Sequence, residues 1–279
     1  MIVFTDLDGT LIDFETYSFE LTAPRVKRLL ADGISVVFCS SKTRIEQQAL
    51  MRTMGIDTLG IVENGSGIYV PAGNNIFPHH AAQKLPDGSR LVEFGQPAAN
   101  IRDAVQSVSG VLDIDLRPYS ALDDNEIANL TGLTLEGAAR ARDRDFSETL
   151  TAQLEPSQWL EVQSEFAQHD LQCLCGGRFY TVSAEDCNKG TALKAVVAAA
   201  ALADSRDFEL RSIAIGDSFN DVDMLVAADF AYLVQKSDEA WHDVDLPGLH
   251  KIPAIGPAGW LLAIVHALER GHANQAQLD

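Results

Sequence analysis

The stretch Phe4-Thr5-Asp6-Leu7-Asp8-Gly9-Thr10 decides how the chain is read. It follows Ile2-Val3, and Ile2-Val3-Phe4 is a short apolar run of the kind that forms a strand buried on both faces. In open α/β sheets ligands collect outside the carboxyl ends of the strands, so Asp6 and Asp8 arrive where chemistry is expected. On an extended backbone, residues two apart share a face. One carboxylate can then act as a nucleophile and the other as an acid/base group. A D-x-D-G turn with no catalytic duty is the competing reading of the same string.

Beyond this string, strand and helix signals alternate. Thr22 and Pro24 predict a helix start and Gly33 its stop; Ile34–Cys39 reads as a second buried strand, Thr43–Met54 as a helix ended by Gly55, and Gly60–Val62 as a third strand. The grammar returns near the other end with a helix over Asn188–Leu202, a strand at Ile213–Ile215, a helix over Asp221–Ala227, a strand at Phe230–Val234 and a helix over Gly259–Leu268. Such alternation predicts an α/β fold with a Rossmann-like, doubly wound parallel sheet.

Between the halves the pattern changes. After the turn Pro86–Ser89 come a strand (Arg90–Phe94), a helix (Ala98–Val108), an Asp-rich irregular stretch, and a helix capped by Thr134. A strand near Thr149-Leu150, a helix over Pro156–Gln168 and two strands flanking Gly176-Gly177 follow. The expected organisation is a catalytic core from residues 1–84 and 185–279, with an inserted α/β cap over 85–184.

A second acidic string, Gly216-Asp217-Ser218-Phe219-Asn220-Asp221, also follows an apolar strand and opens a helix. N-capping alone would account for it in isolation, but two such strings at the ends of central strands reinforce each other. Converging carboxylates repel and raise one another's pKa unless a cation intervenes. Oxygen donors beside a phosphate favour Mg²⁺, and no histidine falls in either string, which disfavours zinc and iron. Ser40-Ser41-Lys42-Thr43-Arg44 enters a helix and offers hydroxyls and N–H groups to an anion, while Lys189 opens another helix and could neutralise a transferring phosphoryl group.

The 279 residues are 46% hydrophobic and 22% charged, the composition of a globular chain rather than a disordered or fibrous one. The formal charge of −19 repels nucleic acid and anionic lipid, so a small anionic substrate needs a local basic cluster. No signal peptide or membrane span is expected, and the reading is cytoplasmic. The cysteines, Cys39, Cys173, Cys175 and Cys187, lack metal-site spacing and read as reduced thiols.

In order along the chain, D-x-D-G-T, a strand-end Ser, a Lys and G-D-S-x-N-D resemble the haloacid dehalogenase superfamily of phosphohydrolases. The resemblance implies that Asp6 is the nucleophile forming an aspartyl-phosphate and Asp8 the general acid/base. It further implies that Ser40 holds a phosphoryl oxygen, that Lys189 neutralises nucleophile and phosphoryl group, and that Asp6, the Asp8 carbonyl and Asp217 bind Mg²⁺. Asp221 would orient Lys189 or support the metal. Further strings, Lys42-Thr43-Arg44, Glu63 to Pro71, Arg144-Asp145-Phe146-Ser147-Glu148, Gly176-Gly177-Arg178-Phe179-Tyr180 and Gly256-Pro257-Ala258-Gly259, are similar to the mannosyl-3-phosphoglycerate phosphatase family. That similarity implies substrate contacts from Ser41, Lys42, Arg44, Glu63, Asn64, Arg144, Glu148, Gly177, Arg178 and Asn220. Arg144 and Arg178 would hold the second anion, a carboxylate.

The implied activity is release of phosphate from a mannosyl- or glucosyl-3-phosphoglycerate, a small-molecule substrate; the sugar and the oligomeric state stay open. A sugar-phosphate phosphatase, a phosphomannomutase-like transferase and a non-catalytic phosphometabolite sensor are the alternatives. The sensor would be expected to lose a catalytic group, and none of Asp6, Asp8, Lys189, Asp217 and Asp221 is missing.

Overall fold

Alternate residues of the first strand, β1 (Ile2–Thr5), serve two different cores: Ile2 and Phe4 face one helical layer and Val3 the other. The computed structural model describes residues 1–176, 178–203 and 210–275. From β1 the chain runs through α1 (Ala23–Ala31), β2 (Ser35–Cys39), α2 (Arg44–Met54), β3 (Gly60–Val62), β4 (Gly67–Val70), β5 (Gln83–Lys84) and β6 (Arg90–Glu93). Next come α3 (Ala98–Leu112), α4 (Asp124–Thr131), α5 (Leu135–Arg142), β7 (Ser147–Leu150), α6 (Pro156–Ala167), β8 (Leu171–Cys175) and β9 (Tyr180–Ala184). The last group is α7 (Lys189–Ala203), β10 (Ser212–Gly216), α8 (Val222–Ala227), β11 (Phe230–Gln235), β12 (His250–Ile255) and α9 (Gly256–Gln275).

Nine strands of the described residues form one sheet in the order β12-β11-β10-β1-β2-β3-β4-β6-β5. From β12 to β3 it is parallel, and β1 lies central with Phe4 opposite Ala214 on one side and Val37 on the other. One face packs Val26 and Leu29 of α1, Met51 and Met54 of α2 and the fully buried Trp260 of α9. The other packs Ala192, Leu193 and Val196 of α7 with Met224 and Leu225 of α8. Helices on both faces make this the doubly wound sheet that the alternating pattern predicts.

The edge beyond β3 departs from that prediction. β4, β6 and β5 pair antiparallel, and Arg90–Glu93, expected in the insert, is joined to β4 with Ile68 opposite Val92. Its apolar run has the same look in either sheet, and only the pairing tells them apart. A second sheet, β7-β9-β8, carries α3 and α6 on one face through Ile101, Val105, Val108, Val162 and Phe166. The Asp-rich stretch read as irregular contains α4, opened by a capping box in which Asp123 and Glu126 each accept the other's backbone N–H at 2.9 Å. Thr134 caps α5 as expected, accepting Gly137 N at 3.1 Å. Thr22 does not cap α1; its hydroxyl donates to Leu11 O at 2.8 Å instead. All four cysteines are free thiols. Among the described residues no helix is long and apolar enough to cross a membrane.

Candidate active site

Three neighbouring strands end at one place. Asp6 follows β1, its N–H donating to Ile215 O of β10 at 2.9 Å; Asp217 follows β10; Ser40 follows β2, its N–H donating to Ile61 O at 3.1 Å. Lys189, in the first turn of α7 and only 1% exposed, reaches into this junction. Its Nζ donates to Asp6 Oδ1 and to Asp221 Oδ1, both at 2.6 Å. The second oxygen of Asp221 accepts the N–H groups of Asp217 and Ser218, each at 3.1 Å. Asp221 therefore spends both oxygens on positioning, one on the lysine and one on the loop that carries Asp217. A Cβ on Gly216 would sit 2.5 Å from Asp221 Cγ, so this close packing requires glycine.

Asp6, Asp217 and Asp221 offer carboxylate oxygens within 4.8 Å of one another. Burial, with Asp221 and Asp217 adding to it, pushes the Asp6 carboxyl well above the carboxylate range in spite of Lys189. Asp217 is pushed up to about 7, by burial first and then by Asp221, with Lys189 pulling the other way. For Lys189, burial pulls downward, but Asp221 and Asp6 overcome it and hold the ammonium above its ordinary range. Such a donor set, oxygen only, buried and in electrostatic excess, suits a hard divalent cation. Asp6 and Asp217 are the carboxylates with coordination capacity to spare, because both oxygens of Asp221 are engaged. Gly9 shapes the floor: it sits at φ +79°, and a Cβ there would lie 3.0 Å from Asp217 Oδ2. Opposite, Thr10 donates to Asp217 Oδ1 at 3.3 Å.

Asp8 stands apart from the acidic trio. Its Oδ2 pairs with Lys42 Nζ at 2.9 Å, and its Oδ1 is buried without a hydrogen-bond partner. Lys42 is itself anchored, 3.7 Å from Glu46 and 5.1 Å above the Tyr17 ring. Glu46 is fixed by the capping box of α2, accepting Thr43 N at 2.9 Å. Burial pulls the Lys42 ammonium down, and the nearby Asp8 and Glu46 more than reverse this.

Above these groups lies a cavity lined by Asp6, Asp8, Ser40, Ser41, Lys42, Asp217 and Asn220 from below, and by Tyr119, Arg144, Thr149, Arg178, Phe179 and Thr181 from above. Arg144, 7% exposed, donates to Ser147 Oγ and Ser41 O, each at 2.7 Å. Arg178 donates to Thr131 O at 2.9 Å and Phe14 O at 3.4 Å, lies 3.5 Å from Glu15 and stacks 4.7 Å over the Phe14 ring. Both arginines thus border the cavity while tying the layer above to the loops below.

Four residues expected at the substrate lie outside that lining. Arg44 pairs with Asp145 at 3.0 Å and Gln48 at 3.3 Å, so its guanidinium is held along α2. Glu63, at φ 49° and fully buried, accepts the N–H groups of Asp145 and Phe146 at 2.8 and 3.0 Å and the hydroxyl of Ser147. Burial raises its carboxyl pKa, with Arg144 opposing. Asn64 sits behind Asn220, accepting its amide at 3.3 Å. Glu148 alternates to the helix side of β7, where Arg102 meets it at 3.2 Å. Gly177 lies outside the described residues. Conversely Phe14, Tyr17, Tyr119, Thr149 and Thr181 line the cavity without being anticipated. The threonines look like ordinary strand formers, and the tyrosines lie in stretches without periodic signal.

The sequence profile of the haloacid dehalogenase-like hydrolases matches residues 3–243. A glucosyl-3-phosphoglycerate/mannosyl-3-phosphoglycerate phosphatase from Persephonella marina is 30% identical over 97% of this chain and 99% of its own length. A mannosyl-3-phosphoglycerate phosphatase from Pyrococcus furiosus is 32% identical over 84% of this chain and 90% of its own. Among solved structures, a Streptococcus mutans protein superposes with a TM-score of 0.65 at 15% identity, covering 96% of this chain and 98% of that one. The sucrose-phosphatase of Synechocystis, crystallised with sucrose and phosphate, does so with 0.59 at 15% identity, covering 95% and 97%. With the profile running across both strand-end acidic strings and the segment between them, the chain belongs to the haloacid dehalogenase-like hydrolase family.

Proposed function

We propose that this chain is a Mg²⁺-dependent phosphatase that hydrolyses a mannosyl- or glucosyl-3-phosphoglycerate to the glycosylglycerate and phosphate. The observation that carries the reading is the buried bridge from Lys189 to Asp6 and Asp221 at 2.6 Å, set beneath a cavity bordered by Lys42, Arg144 and Arg178. The choice of substrate rests on what the relatives are named for and on the two anions that this basic border suits.

In the proposed reaction a carboxylate oxygen of Asp6 attacks phosphorus, and the bond from phosphorus to the glycerate oxygen breaks. Asp8 passes its proton to that departing oxygen, then takes one from the water that attacks the aspartyl-phosphate. The second displacement releases inorganic phosphate and restores Asp6. Lys189 holds Asp6 in place and offsets the charge of the phosphoryl group, and Ser40 meets one of its oxygens. Mg²⁺, held by Asp6, Asp217 and the Asp8 carbonyl, would supply electrostatic stabilisation of the phosphoryl oxygens. Arg144 and Arg178 hold the carboxylate of the glycerate.

Phosphate release should be measured over glycosyl-3-phosphoglycerates, hexose phosphates and free 3-phosphoglycerate. The glycosylated phosphoglycerates should lead, and a hexose phosphate turned over faster would displace the substrate assignment. Excess EDTA should abolish turnover and added Mg²⁺ restore it. Undiminished activity in EDTA would remove the metal from the reading.

Arg178→Ala removes a charged hydrogen bond to the carboxylate, at a cost of about 1.5 to 3 kcal/mol. That corresponds to a roughly ten- to hundredfold loss in kcat/KM on the glycosylated substrate. An aryl phosphate, which has no carboxylate, should lose much less. Equal losses would assign Arg178 only to its contacts with Phe14, Glu15 and Thr131.

A further inference from the structure

The layer above the cavity carries three hydroxyls that the protein does not use. Thr149 of β7 and Thr181 of β9 are direct cross-strand partners, each 6% exposed, and Tyr119 beside them is 4% exposed. All three line the cavity, and none of their hydroxyls has a hydrogen-bond partner among the described residues. Strand alternation explains their direction. Leu150 and Val182, the neighbours of the threonines, enter the apolar layer formed with α3 and α6, which turns Thr149 and Thr181 the other way.

The three residues are largely buried, but they border the cavity and their hydroxyls make no bond to the described residues, so together they form a polar surface open to a ligand. Each hydroxyl can donate and accept, and none carries charge. Such a surface suits a neutral polyol, whereas phosphate and carboxylate call for the cations of the same cavity, Lys42, Arg144 and Arg178. Paired threonines stand close enough in an antiparallel ladder for one sugar ring to reach both. The Tyr119 and Phe179 rings, edge to face at 5.9 Å, add an apolar flank for the C–H side of such a ring.

We propose that Tyr119, Thr149 and Thr181 form the subsite for the glycosyl group, binding its hydroxyls and so selecting glycosylated substrates over smaller phosphate esters. The assignment rests on the phosphatase reading above, but not on its particular sugar acid. Thr149→Val, Thr181→Val and Tyr119→Phe each delete one hydroxyl with little change in shape. The readout is the ratio of kcat/KM on a glycosylated phosphate to that on p-nitrophenyl phosphate. Each variant should lower the ratio about three- to tenfold, the range of a single neutral hydrogen bond, and the double threonine variant roughly ten- to a hundredfold. Thr149→Ser and Thr181→Ser retain a hydroxyl and should restore most of it.

An unchanged ratio in the double variant, or a fall that the serine variants share, overturns the subsite. The substrate assignment is judged separately, on the wild-type enzyme. If that enzyme prefers a different sugar phosphate and the ratio for it still falls, the glycosyl-3-phosphoglycerate assignment fails and the subsite stands. If it prefers p-nitrophenyl phosphate to every sugar phosphate, both fail.

Discussion

Asp6→Asn is expected to reduce phosphate release by several orders of magnitude while leaving the fold intact. The amide is nearly the same size and keeps an oxygen to accept the Lys189 bond, but it is a poor nucleophile towards phosphorus. It also removes a carboxyl whose ionisation is opposed by burial and by Asp221 and Asp217. Its melting temperature should therefore stay close to that of the wild type, so lost turnover cannot be blamed on unfolding. Phosphate release by stopped assay together with a thermal melt checks both parts. A variant within about tenfold of wild-type kcat, a barrier difference of only about 1.4 kcal/mol, would move the attack to another group.

Lys189→Met should be the most damaging substitution for stability. Methionine fills the same channel, but it leaves Asp6 and Asp221 facing each other without the ammonium that each now meets at 2.6 Å. Removing one partner of a buried ion pair costs about 3 to 5 kcal/mol. For a chain of this size each kcal/mol shifts the midpoint by roughly 2 to 4 °C, so melting should fall by roughly 6 to 20 °C, with turnover lost as well. Adding Asp221→Asn should recover part of the melting temperature and none of the turnover, because the second change relieves repulsion without supplying a cation. Recovery of both would mean that Lys189 serves the frame alone.

The legible part of this chain was the part written locally. A strand followed at once by paired aspartates, Asp6 and Asp8 or Asp217 and Asp221, announces both the element and the end of the sheet at which it acts. What could not be read was decided by distant partners. Arg90–Glu93 is the same apolar run whether it joins β4 or the smaller sheet, and nothing within it names its neighbour. β12 carries Pro253, which disqualifies a central strand but is tolerated at the edge it occupies. Glu63 shows the same limit at the site: a polar residue after a central strand invites a role at the substrate, yet its carboxylate is consumed by the backbone of residues 145 and 146. The two cavity threonines were hidden for the opposite reason, since threonine in a strand needs no explanation beyond β propensity.

Several contacts that join the two layers end on main-chain oxygens: Arg178 on Phe14, Tyr17 on Thr131, Arg144 on Ser41, and Thr43 on Arg140. A carbonyl is present whatever side chain its residue carries. Positions 14, 41, 131 and 140 can therefore exchange side chains without removing the acceptor, whereas Tyr17, Thr43, Arg144 and Arg178 cannot be replaced without losing the donor. This one-sided dependence lets the receiving segments drift in sequence while the enclosure over the carboxylates persists.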